Sequence, residues 1–126
     1  MHINAYFVKI RQHISNSPFV TSVEINEDIR TSTEGFIKAK IRFIDDSELS
    51  FREFVSTENP NPFRYTYAYH YTKNNSLIFR YDSAPHHKEV STFPHHKHLA
   101  DGMVESCSEP TIDSILSEIE SIIPER

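Results

Sequence analysis

Apolar residues recur at the spacing of an amphipathic helix at both ends of the chain. Near the amino end these positions are Ile3, Tyr6, Phe7, Ile10 and Ile14. Near the carboxyl end they are Ile112, Ile115, Leu116, Ile119, Ile122 and Ile123. Residues 15–18 end the first pattern, while Pro110 lies in the first turn of the second pattern and Pro124 ends it. The spacing therefore predicts an N-terminal helix and a C-terminal amphipathic helix.

Between these segments the apolar positions recur every second residue, as is typical of half-buried strands. The clearest example has Ile37, Ala39, Ile41 and Phe43 alternating with Lys38, Lys40 and Arg42. Further strands are predicted at residues 20–29, 49–55, 64–71 and 77–82. We therefore expect one α+β domain over residues 1–126, with an N-terminal helix, an antiparallel sheet of about five strands, a histidine-rich loop and a C-terminal amphipathic helix.

Asn74 and Asn75 are typical of a two-residue hairpin loop, which fixes the pairing of the strands around it. The predicted pairs on one face are Tyr67 with Asp82, Tyr69 with Arg80 and Tyr71 with Ile78. Tyr67 and Tyr69 would then stack RNA bases beside groups that contact phosphate. The alternative is that the tyrosines only reflect the preference of aromatic residues for strands. His70 is expected on the opposite, mostly apolar face.

Composition and charge narrow the class of protein. Residues 100–126 hold seven acidic residues against Arg126 and therefore carry a charge of −6, whereas the remaining chain carries +1 and holds all eight histidines, so that the whole chain has a net charge of −5. Two glycines exclude Gly-rich phosphate loops, and the one cysteine excludes a disulfide framework and is typical of a reducing compartment. Neither a secretory signal nor a membrane-spanning apolar run is visible, so a cytoplasmic protein is expected.

Residues 85–98 concentrate the candidate chemistry, because five of the eight histidines lie there and Pro-His-His-Lys occurs twice. One interpretation is a metal site, whose candidate ligands are His86, His87, His96, His98 and Asp82. His96 and His98 would share one face of an extended segment. Lys88 and Lys97 count against a dication in this segment, and the spacing matches no standard zinc motif.

A second interpretation is acid–base chemistry on RNA, which carries its own nucleophile in the 2′-hydroxyl. Histidines that titrate near neutrality suit both proton transfers, and Arg80 and Lys97 would stabilise the phosphorane. A third interpretation is an ordered loop whose imidazoles hydrogen-bond to Asp82 or Glu89 and whose role is to dock a partner. Glu53, on the apolar face of its strand, is expected either to pair in the interior or to act as a base.

Four stretches carry a family resemblance: Tyr67-Ala-Tyr-His-Tyr71, Leu77-Ile-Phe-Arg-Tyr-Asp82, Ala84-Pro-His-His87 and Thr92-Phe-Pro-His-His-Lys-His98. They resemble the TumE-type toxin family of prokaryotic toxin–antitoxin pairs, although Ser83 and Lys88 stand where asparagine and proline are commoner. The matching positions are His70, Arg80, Asp82, His86, His87, His95, His96, Lys97 and His98. The resemblance implies a cytosolic toxin made beside an antitoxin that often carries a helix-turn-helix domain.

Together these observations favour a toxin that acts as a metal-independent ribonuclease without a cofactor. His95 or His96 would be the general acid or base, with His86 or His87 as its complement. Arg80 and Lys97 would hold the scissile phosphate and Asp82 would orient a histidine. The expected partners are RNA and the antitoxin, and a homodimer is left open. A non-catalytic RNA- or protein-binding module and a metal-dependent hydrolase with histidine ligands are the alternatives.

The acidic residues of the C-terminal helix allow two interpretations. Asp113, Glu118 and Glu120 lie opposite the isoleucine stripe. They either form a solvated outer surface or offer a charged surface to a basic antitoxin.

Overall fold

In the computed structural model, which describes residues 1–83 and 95–124, the strands form one antiparallel sheet in the order of the sequence. The strands are β1 (Val20–Ile29), β2 (Glu34–Phe43), β3 (Glu48–Ser56), β4 (Phe63–Lys73), β5 (Ser76–Asp82), β6 (His96–Leu99) and β7 (Val104–Ser106). Helix α1 (Ile3–Ser15) precedes the sheet and α2 (Ile112–Ile122) follows it, and neither is long and apolar enough to cross a bilayer. The predicted α+β class is confirmed. The described sheet has seven strands rather than about five, because β6 and β7 lie between β5 and α2, where only a loop was predicted.

Alternation along the strands gives the sheet an apolar face, and both helices pack against it. The core joins sheet residues such as Ile37, Phe51 and Tyr71 to helix residues such as Phe7 and Ile115. We call this the helix face. The opposite face, here called the open face, carries Lys38, Lys40, Arg52, His70, Arg80, Asp82, His96 and His98.

Gly35 lets α1 approach β2 closely. A Cβ atom at this position would lie 3.0 Å from Phe7 Cζ and 3.2 Å from Ile3 Cγ1, tighter than ordinary van der Waals contact. One of the two glycines of the chain is therefore placed by packing of the helix on the sheet.

The β4–β5 hairpin confirms the predicted turn but not the predicted pairing. Asn74 and Asn75 have φ of 52° and 62°, as a type I′ turn requires. Ile78 is an extra residue on β5, because Thr72 pairs with Leu77 whereas Tyr71 pairs with Phe79. This bulge shifts the register by one residue, which exchanges the two faces of β5 relative to β4. The predicted pairs of Tyr67 with Asp82, Tyr69 with Arg80 and Tyr71 with Ile78 are therefore wrong.

Glu118 on α2 lies against the sheet rather than on a solvated outer surface. It accepts a hydrogen bond from the hydroxyl of Tyr81 at 2.6 Å and pairs with Lys97 Nζ at 2.9 Å. Glu120 accepts a hydrogen bond from Ser17 Oγ at 3.3 Å. Glu118 and Glu120 thus attach this helix to the rest of the fold.

Candidate active site on the open face

Two histidines and an arginine lie side by side across neighbouring strands of the open face, and we call them the row. His70 on β4 pairs with Arg80 on β5, and Arg80 pairs with His98 on β6. Neighbouring strands lie about 4.8 Å apart, so the backbones of His70 and His98 are about 10 Å apart with Arg80 between them. The bulge at Ile78 creates this row, because it moves Arg80 onto the face of His70.

Asp82 lies one step along the sheet and joins the members of this row. One of its oxygens, Oδ2, accepts a hydrogen bond from Arg80 Nε at 2.8 Å and lies 3.6 Å from His98 Nε2. The other oxygen contacts His96 Nε2. The ring centroids of His96 and His98 are 5.0 Å apart in an edge-to-face arrangement.

Burial separates the two histidines of β6. The side chain of His96 is 0% exposed and that of Asp82 is 6% exposed, whereas His98 is 22% and Arg80 27% exposed. His98 and Arg80 can therefore meet a substrate at the surface. His96 and Asp82 can act only through the groups that they contact.

His70 is half-buried, and its Nδ1 lies 3.2 Å from Arg80 Nη1. Burial, and secondly the positive charge of Arg80, lower the pKa of His70 below its ordinary value of 6.5. The neutral imidazole, which can accept a proton, is therefore its dominant form at neutral pH.

A groove of about 430 Å³ lies beside the row on the open face. The charged residues that line it are Lys38, Lys40, Arg52, Arg80 and Glu24. Four cations against one carboxylate make this groove suited to a polyanion. The sequence analysis did not select Lys38, Lys40 and Arg52 as site residues. The alternation of basic with apolar residues on β2 was the signal that places Lys38 and Lys40 on one face.

His95 and Lys97 lie on the helix face, away from the row. His95 Nδ1 is 2.8 Å from the hydroxyl of Tyr67, and its Nε2 is 3.6 Å from Glu109. Lys97 pairs with Glu118 and its Nζ lies 5.0 Å from the ring centroid of Tyr81. The structure therefore separates both residues from Arg80, with which they were expected to act on one phosphate. His86 and His87 lie outside the described residues.

Tyr67 and Tyr69 are part of the core rather than of an exposed surface. Their exposed fractions are 2% and 0%. Neither ring can stack on an RNA base without unpacking the helix face, so the expected use of these tyrosines in substrate binding is corrected.

Glu53 is paired in the interior of the helix face. It accepts hydrogen bonds from the hydroxyls of Tyr6 and Tyr69 and lies 3.3 Å from Arg64 Nη1. Of the two outcomes expected for this carboxylate, the structure has the ion pair, on the side of the sheet opposite the row.

Asp82, His96 and His98 could also hold a metal ion. Each offers one ligand atom, and these atoms lie within 4.8 Å of one another. Two imidazoles and a carboxylate are a donor set that suits zinc and other transition metals. Lys97 was an argument against a dication here, and it lies on the opposite face.

Comparison with known proteins gives one match. The family model described as toxin TumE matches residues 10–123 of the 126-residue chain. No curated protein and no solved structure matches the chain. The match includes every strand of the described sheet and each residue of the row.

Proposed function

The chain belongs to the TumE toxin family and is thus the toxin component of a toxin–antitoxin pair, and we propose that it acts as a ribonuclease at the His70–Arg80–His98 row. Membership implies a cognate antitoxin as partner. The observation that carries the proposal is the position of Arg80 between two histidines in one register row.

Cleavage of RNA by its own 2′-hydroxyl requires a base and an acid on opposite sides of the phosphorus. The base takes the 2′-proton while the 2′-oxygen bonds to phosphorus, and the acid protonates the 5′-oxygen as its bond to phosphorus breaks. A phosphate above Arg80 would have His70 on one side and His98 on the other. The separation of about 10 Å between their backbones leaves room for the reacting group.

The surroundings of the two histidines support a different role for each. His70 is the base, because its pKa is lowered and its neutral form can accept a proton. His98 is the acid, because it lies on the opposite side of Arg80 from His70, and Asp82 Oδ2, 3.6 Å from its Nε2, can hold the ring in position. Arg80 stabilises the charge on the phosphorane. Asp82 and buried His96 are positioning residues for His98.

The proposal is tested by cleavage of a single-stranded RNA in EDTA. We expect a 2′,3′-cyclic phosphate product and no cleavage where the 2′-hydroxyl at the scissile position is replaced by hydrogen. His70→Asn and His98→Asn should each lower kcat about 10²- to 10⁴-fold, the usual contribution of a general acid or base. His96→Asn should also lower kcat.

His13→Asn is the matched control, because His13 lies on α1 and contacts Asp113 on α2, on the other side of the sheet. It should cleave like the unchanged protein. Full activity of the His70→Asn and His98→Asn proteins would refute the row as the active site. Binding of RNA without any product would instead identify a non-catalytic RNA-binding module.

The Asp82–His96–His98 cluster supports a second candidate, a metal-dependent hydrolase. The two candidates differ in their response to metal removal. Protein dialysed against EDTA should remain active if the histidines transfer protons. Loss of cleavage on dialysis, with recovery on addition of Zn²⁺ and a stoichiometric zinc content, would favour the metal.

Two finer expectations about partners stay predictions. The first is a helix-turn-helix domain in the antitoxin, and the second is a homodimer of the toxin. Purification of the chain together with its antitoxin and measurement of the molar mass of each complex test both.

A further inference from the structure

A second bulge splits the run of tyrosines on β4. Phe54 pairs with Thr66 and Val55 pairs with Arg64, so Tyr65 is the extra residue. Tyr65 thereby leaves the face of the buried tyrosines, and its ring packs on Phe54 with centroids 4.5 Å apart.

Tyr65 belongs to a series of neighbouring aromatic rings that crosses β2, β3 and β4. Phe36 and Phe54 are stacked, with centroids 4.1 Å apart and an interplanar angle of 9°. Phe63 meets Tyr65 edge to face at 5.4 Å. We call Phe36, Phe54, Tyr65 and Phe63 the aromatic ladder.

Three of the four rings of the ladder are exposed to solvent. Phe63 is 58%, Tyr65 44% and Phe36 36% exposed. Contiguous exposed aromatic surface on a single chain commonly marks a binding site. The guanidinium of Arg30 lies over the ring of Phe36, 4.9 Å from its centroid, and places a cation at one end of the ladder.

Cations continue from the ladder towards the row. Lys38 follows Phe36 on the open face of β2, and Arg52 precedes Phe54 on that of β3. Both line the groove that reaches His70 and Arg80. From Phe54 to Ser50, the residue paired with His70, β3 spans about 13 Å.

Two carboxylates lie at the end of the ladder that is farther from the row. Glu34 accepts a hydrogen bond from the hydroxyl of Tyr65 at 2.7 Å, and Asp28 accepts one from Arg30 Nε at 2.9 Å. They would repel phosphates there and favour passage of the backbone along Lys38 and Arg52. A ligand that fits must therefore combine flat apolar groups with negative charge.

We propose that the aromatic ladder binds the bases of single-stranded RNA and that Lys38 and Arg52 lead its backbone to the row, an inference that rests on the proposed function. Single strands present the faces of their bases to aromatic rings, whereas a duplex keeps its bases stacked inside. The ladder thus selects unpaired RNA as substrate.

The test measures binding apart from cleavage. His98→Asn protein, which keeps the RNA intact, is titrated with a fluorescein-labelled single strand and followed by anisotropy. Tyr65→Leu and Phe63→Leu should each raise Kd at least about fivefold, the lower end of what one base–aromatic stack contributes. Tyr65→Phe should restore the affinity, since it keeps the ring and loses only the contact with Glu34.

Two controls separate stacking from general apolar contact. Ile122→Ser removes an apolar residue of similar exposure, 42%, from α2 and should leave Kd unchanged. A duplex of the same sequence should bind the Tyr65→Leu and unchanged proteins equally. Circular dichroism of each variant checks that the sheet is intact.

Each outcome bears on the ladder separately from the ribonuclease. Unchanged affinity of both leucine variants for a strand that the active protein cleaves overturns the ladder alone. Ring-dependent binding without cleavage by the active protein supports the ladder and refutes the ribonuclease. If the leucine variants bind RNA normally but no longer bind the purified antitoxin, the ladder is a protein-docking surface and the proposal is overturned.

Discussion

At the scale of single residues, the environment of His70 decides what the row can do. Ser50 and Arg52 face it from β3, and Arg80 and Asp82 face it from β5. Burial is the larger cause of its lowered pKa and the charge of Arg80 the smaller. A histidine in this position is a proton acceptor at neutral pH without help from a paired carboxylate.

This order of causes gives a prediction for the titration of His70. Its ring protons, followed by NMR, should titrate with a midpoint below 6.5. In Arg80→Gln the midpoint should rise but stay below 6.5, because burial remains. Arg52→Gln, which removes a cation that does not contact the ring, should leave it in place. A midpoint above 6.5 in the unchanged protein would contradict the assignment of His70 as the base.

The same shift has a consequence for stability. Because the pKa of His70 is lower in the folded chain, the unfolded chain takes up a proton first as the pH falls. This histidine therefore lowers the free energy of unfolding as the pH decreases below 6.5, and it has no such effect above that value.

At the scale of helices and strands, the alternation of apolar and polar residues predicted the class of fold and most of the strands. It did not predict how the strands pair residue by residue. Ile78 and Tyr65 have the residue types of ordinary strand positions, and each is an extra residue in a bulge. A shift of one residue exchanges faces, so the predicted tyrosine surface became core and His70 joined Arg80. Strand β6 was missed because its four residues form a strand only between β5 and β7.

The polar network around Glu53 joins four parts of the helix face. Tyr6 comes from α1, Glu53 from β3 and Arg64 from β4, while Glu109 and the carbonyl of Pro110 precede α2. The side chains of Glu53 and Arg64 are 1% and 6% exposed. Removal of Glu53 takes away the buried counterion of Arg64 and leaves only Glu109, which is 46% exposed.

We therefore expect Glu53→Ala to lower the free energy of unfolding by about 3–5 kcal/mol, the usual cost of breaking a buried ion pair. Glu109→Ala is the matched control, because Glu109 pairs with the same Arg64 but is 46% exposed. It should cost about 1 kcal/mol or less, as exposed pairs do. Urea unfolding measures both, and equal losses would contradict the central place of Glu53 in the network.

At the scale of the whole molecule, the sheet separates two tasks. The helix face holds the core, the Glu53 network and the contacts of Glu118, so changes there act on stability. The open face holds the row, the cationic groove and the aromatic ladder, so changes there act on the proposed activity. Glu109 and Glu118 pair with groups of the helix face rather than with the cations of the groove.

If the chain binds RNA as proposed, we expect the salt dependence of binding to come from the open face alone. Each lost phosphate contact reduces the slope of log Kd against log salt concentration by about 0.7 for a single strand. Lys38→Ala and Arg52→Ala should each show this reduction, measured by anisotropy in the His98→Asn protein, with little change in thermal stability because both side chains are exposed. Lys9→Ala, on α1 beyond the helix face, should keep the full slope. A reduction equal to that of Lys38→Ala would mean that RNA also contacts the helices, and the division of tasks between the two faces would fail.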